Sequence, residues 1–156
     1  MSATLRLRFG EPRHGWLPVR LVLGERRFDF RASYIYPTVS ELLDLAGFAL
    51  RRGDGQQSAG FWMEPGGYLL VAERAGDTVH VTVRTTDDLH RASEPDVVVA
   101  DEVMEAVELA ASIWRGLRSW KVRDSRDAWC GQFADPGIAT LQHELRARRI
   151  ASRGAG

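Results

Sequence analysis

The sequence predicts one α+β domain: six or seven strands in a single, mainly antiparallel sheet, ordered β-β-β-α-β-β-β-α-α, with helices packed on one face. Three observations predict it. Two strand triplets are each joined by turns too short for a parallel crossover. Three further segments repeat apolar residues at helical spacing behind recognisable start signals. No linker, internal repeat or low-complexity tract divides the 156 residues, and a chain of that length buries roughly 70% of its unfolded surface without disulfide or metal.

In the first third, Leu5, Leu7 and Phe9 alternate with Arg6 and Arg8, the period-two pattern of a half-buried strand. Leu17, Val19, Leu21 and Leu23 form a second such set, with Pro18 arguing for an edge or a strand start because it cannot donate to a ladder. Phe28, Phe30 and Ala32 make a third. A helix is expected over 38–51: Thr38 and Glu41 form a capping box, Val39, Leu42, Leu43, Ala46, Ala49 and Leu50 share a face, and Arg51 and Arg52 suit the C-terminal dipole end.

Phe61-Trp62-Met63, Tyr68 to Ala72 and Val79, Val81 and Val83 supply three more strands, the middle one central because both of its faces are apolar. Val97-Val98-Val99 either adds a seventh strand or leads into a helix over 102–121, capped by Asp101 and striped with Val103, Val107, Ala110, Trp114 and Leu117. Asp135-Pro136 opens a last helix near 136–149, with Ile138, Leu141 and Leu145 facing inward. The domain is expected to span 1–150, with 151–156 a frayed tail. Leu43, Leu70, Val81, Val107 and Trp114 are expected to be nearly fully buried.

Composition excludes several classes. With 44% hydrophobic and 27% charged residues the chain is neither disordered nor fibrous. No apolar run approaches 18 residues, so no membrane helix is expected. The alternating N-terminus lacks the continuous apolar core of a secretory signal. The single cysteine, Cys130, cannot form an internal bridge, which suits a reducing cytoplasm.

Charge is informative in its distribution. Twenty-one acids balance 21 bases, and 20 of the bases are Arg, a skew that suits a GC-rich bacterium. Residues 1–36 sum to +4, residues 85–112 to −7 and residues 113–156 to +5. An acidic middle lies between basic ends.

No motif specifies catalysis. The four histidines are scattered, without metal-ligand spacing, and neither metal nor cofactor is expected. Trp129-Cys130-Gly131 lacks the second cysteine of a redox pair. Phosphate-binding and nucleophile-elbow glycine patterns are missing. Arg6, Arg8 and Arg20, with Arg26, Arg27 and Arg31, could face a polyanion. The zero net charge and the lack of a stacking aromatic pair on one strand argue against nucleic acid.

These features favour a non-catalytic module that binds another protein with a basic surface. Its concrete form is a cytoplasmic, bacterial immunity-type protein that neutralises a toxin. The acidic patch Asp87, Asp88, Glu94 and Asp96 is the contact, through complementary charge. Trp120, Trp129 and Phe133 are candidates for an aromatic interface. Two alternatives are a self-associating structural or regulatory protein, as a homodimer through the sheet or these aromatics, and a small enzyme built on Cys130 or on the Asp87, Asp88 and His90 loop.

Overall fold

The computed structural model describes residues 4–51, 53–87, 97–120, 127–132 and 135–154. Its elements are β1 (Leu5–Phe9), β2 (Trp16–Leu23), β3 (Arg26–Ser33), α1 (Thr38–Leu50), β4 (Gly55–Trp62), β5 (Gly67–Ala75), β6 (Thr78–Thr86), β7 (Val97–Glu105), α2 (Ala106–Ser119), a short 3-10 turn (Ala128–Gln132) and α3 (Asp135–Gly154). The α+β class and the antiparallel pairing are as expected.

The single sheet is not. The strands form two sheets, β1-β2-β3 and β4-β5-β6-β7. The break falls at β3, whose rings meet the second sheet through side chains instead of backbone hydrogen bonds. Phe30 packs against Phe61 and Tyr68 with centroids 5.4 and 4.8 Å apart, and Phe28 against Tyr68 at 5.4 Å. Such tilted and edge-on ring pairs add to the area they bury. One buried cluster runs through both sheets and all three helices. α2 lies on β1, α1 on β4, and the helices pack on each other.

Of the two places expected for Pro18 the structure has the strand start: it is the third residue of β2, which is the centre of its sheet and not an edge. Its carbonyl accepts from Gly10 N at 2.8 Å, so its missing donor points at the residue where β1 has just ended. One ladder bond is lost at the sheet's rim, where the loss is tolerated.

The capping box at the start of α1 is replaced by a tie to β4. Thr38 Oγ1 donates to the carbonyl of Gly60 at 2.8 Å, and Gly60 N donates to Glu41 Oε1 at 2.9 Å. Both side chains keep their polar partners, but these come from a strand. At the other end, the buried Arg74 of β5 donates through Nη1 to the carbonyls of Phe48 and Ala49 at 3.3 and 3.0 Å. Arg51 contributes only an exposed bond to Gly47, and residue 52 lies outside the described residues.

The largest departure is at 97–105. The predicted seventh strand runs on to Glu105, so α2 begins at Ala106 and Asp101 is no cap. β-branched Val97, Val98, Val99 and Val103 suit a strand, and β6 supplies a partner. The helix therefore buries a stripe through Leu109, Ala110, Ile113 and Leu117, while Val103 is 61% exposed, Val107 36% and Trp114 only partly buried. Of the five expected core residues, Leu70 and Val81 are fully buried, and Leu43 packs at the margin. Ile138, Leu141 and Leu145 of α3 are buried as expected, and that helix continues past residue 149 to Gly154.

Candidate functional site

Only Asp87 of the nominated acidic patch can be placed. It is exposed one residue beyond the end of β6; Asp88, Glu94 and Asp96, with His90, lie outside the described residues. The rest of the acidic segment is described, and it is the part that changed conformation from expectation. Asp101 and Glu102 stand on a strand, and Glu105, at the N-cap position of α2, makes no side-chain capping bond. Glu108 pairs with Arg115 at 2.6 Å.

β7 is the last strand of its sheet. Which of its backbone groups face outward follows from one hydrogen bond. Ala106 N donates to Asp77 O at 2.8 Å, directly opposite in the register that pairs Thr78 with Glu105. Hydrogen-bonded and non-bonded pairs alternate along an antiparallel ladder. Asp101, Val103 and Glu105 are therefore the non-bonded partners of Thr82, His80 and Thr78. Their N–H and C=O groups point away from β6, toward the side on which, among the described residues, no strand pairs with β7.

All three residues are exposed. Val97 and Val98 are 63% and 50% exposed at the strand's start, and Val103 is 61% exposed between Asp101 and Glu105. Among the described residues, every large hydrophobic side chain that a strand leaves exposed is on β7. A bulge at Val99, where Val83 opposes Ala100 and Arg84 opposes Val98, bends the strand at its start. Beside the edge lies a cleft of about 1220 Å³ whose far wall is the β2–β3 turn. The Glu102 carboxylate reaches that turn, where a Cβ on Gly24 would come within 2.1 Å of Oε1. Across the strands, Asp101 pairs with His80 Nε2 at 3.2 Å.

The basic face expected on the first sheet is present. Outward positions of β1, β2 and β3 carry Arg6, Arg8, Arg20, Arg27 and Arg31 around one acid, Asp29, which binds Arg20 and Arg27 at 2.7 Å each. The outward set of β2 also holds one aromatic ring, the half-buried Trp16 at the strand's start, opposite Ser33 of β3. The bond from Arg20, then that from Arg27, holds the Asp29 carboxyl below the usual aspartate range. Because the folded form holds the proton less tightly than the unfolded chain, the pairing favours folding at neutral pH. That contribution fades as pH falls through the aspartate range to Asp29's lowered one. Arg20→Ala should raise the Asp29 midpoint in a carboxylate NMR titration. An unmoved midpoint would deny the pairing in solution.

The aromatic interface is corrected by burial. Trp120 and Trp129 are 4% and 0% exposed and pack edge-on at 5.8 Å, so neither ring is available to a partner. Phe133 lies outside the described residues. Cys130 is on the 3-10 turn, and its side chain lies outside the described set. Among the described residues no three His, Cys, Asp or Glu side chains are grouped to hold a metal ion, and no helix is long and apolar enough to cross a membrane.

Comparison with protein-family models, curated proteins and solved structures finds no match. The functional reading rests on this chain's own residues. The exposed edge was missed in the sequence because Val103 fits a helical stripe and a strand equally well. The signal that separates them is the β-branched run Val97-Val98-Val99 just before it.

Proposed function

We propose that this chain is a non-catalytic protein-binding module whose acidic segment, residues 85–112, meets a basic surface on a partner. In its concrete form the module is a cytoplasmic bacterial immunity-type protein and the partner a toxin. One observation carries the proposal. Helix capping accounts for acids gathered at a helix start, but Asp101 and Glu102 lie on a strand and Glu105 makes no capping bond. Eight acids against one Arg in this segment repel one another, and an opposing basic surface offsets that repulsion. The exposed valines beside them supply apolar contact area.

Charge pairs at the rim of an interface act mainly on association rate. Reversing Asp87, Asp88, Glu94 and Asp96 to Lys should slow association with the partner captured from the native cell by about tenfold or more at low salt. The difference should shrink as the Debye length falls below ~10 Å above 0.1 M salt. The measurement is stopped-flow or surface-plasmon kinetics of both proteins across a salt series. A partner whose association ignores both the reversal and the salt would remove this reading.

A further inference from the structure

We infer that the free edge of β7 takes up an extended basic segment of the partner protein as an added strand. The inference rests on the acidic-segment reading above and specifies its binding mode. Three features converge on it. First, Asp101, Val103 and Glu105 direct their N–H and C=O groups away from β6, and no described strand pairs with them. An unpaired ladder is a template for one more strand. Second, a strand's backbone direction and side-chain direction alternate together, so these three side chains lie on one sheet face, and all are exposed. Third, a cleft adjoins the edge along Val98 to Val103, and the Glu102 side chain that crosses it to Gly24 is on the sheet face opposite Asp101, Val103 and Glu105.

Charge selects the occupant. A second copy pairing about Val103 would set Asp101 opposite Glu105 twice, and pairing about Glu102 would set that carboxylate against its own copy. Like charges directly opposite destabilise a sheet pair. A strand carrying Lys or Arg opposite Asp101 and Glu105, and an apolar residue opposite Val103, makes every such contact favourable. The recognised pattern is therefore basic, any, apolar, any, basic, in an extended segment.

The probe is a blocked peptide reading TKTVTKT, with its glutamate counterpart TETVTET as control. At saturation, TKTVTKT should slow amide hydrogen exchange at Asp101, Val103 and Glu105 by roughly tenfold or more, the equivalent of about 1.4 kcal/mol. Glu102 and Met104, which already face β6, should not change. The control should do neither.

Two variants separate the mode from the charge. Val103→Pro deletes an outward N–H without costing a ladder bond, so the fold should survive while peptide affinity falls about tenfold or more. Asp101→Lys with Glu105→Lys should lose affinity for TKTVTKT and gain it for TETVTET. If the proline variant and wild type bind TKTVTKT equally while the charge variant does not, strand addition is wrong and the acidic-segment reading stands. Binding without protection of the three amides, or no binding, also overturns strand addition. The acidic-segment reading is judged separately, by the partner kinetics above. Should the proline variant not fold, the wild-type exchange pattern decides alone.

Discussion

Trp129→Ala is expected to lower the unfolding free energy by about 3–5 kcal/mol, as large aromatic truncations in cores do. The indole is fully buried, packs edge-on against Trp120, and through it reaches Phe9 of β1 at 5.1 Å. Its Nε1 donates to the Gly15 carbonyl at 2.9 Å, and the neighbouring Asp127 carboxylate accepts from Gly15 N at 3.1 Å. Together they clip the turn between β1 and β2, where His14 and Gly15 both adopt positive φ, a conformation that L side chains resist. Trp129→Phe fills most of the volume and removes one of the two donors to the Gly15 carbonyl, which keeps the Tyr34 N–H at 3.0 Å, so about 0.5–1.5 kcal/mol should be lost. Urea titrations with unchanged m-values test both. A loss under 1 kcal/mol for the alanine variant would show that the 3-10 turn does not anchor the β1–β2 turn.

Gly67→Ala should be comparably damaging for a different reason. Gly67 opens β5 opposite Trp62, where β4 and β5 are closest to their connecting turn. A Cβ there would lie 2.0 Å from the Phe61 carbonyl oxygen and 3.3 Å from the Trp62 Cα. Both are backbone atoms, so no side chain can swing aside. Ordinary overpacking costs about 1–3 kcal/mol, and this contact lies at or beyond the top of that range because the hairpin itself must open. Gly131→Ala is the control. Nothing lies within 4 Å of its ideal Cβ and its φ is ordinary, so its effect should stay within about 0.5 kcal/mol. Equal midpoints for the two variants in chemical denaturation would refute the steric account.

Local pattern was enough to read most elements. Leu5, Leu7 and Phe9 alternate as a strand, Leu70 and Val81 are as buried as their central strands imply, and Ile138, Leu141 and Leu145 face inward on α3. Pattern misled where a residue satisfies two periods at once. Val103, Val107, Ala110, Trp114 and Leu117 fit a helical stripe, yet Val103 is on a strand and Leu109 and Ile113 take the buried positions. The candidate site suffered most, because its edge exists only once residues 97–105 are paired with β6.

By itself, then, the sequence determined the α+β class, the antiparallel hairpins and the uneven charge. Each of these depends on residues close in the chain: apolar period, turn composition and the run of acids from Asp87 to Glu108. Only the tertiary structure decided that the strands divide into two sheets, that Thr38 and Glu41 serve β4 instead of capping α1, and that Asp101, Val103 and Glu105 line an open edge. The physical reason is common to all three. A backbone or side-chain polar group goes to whichever partner desolvates with it, and those partners, Gly60 and β6, lie beyond the reach of local pattern.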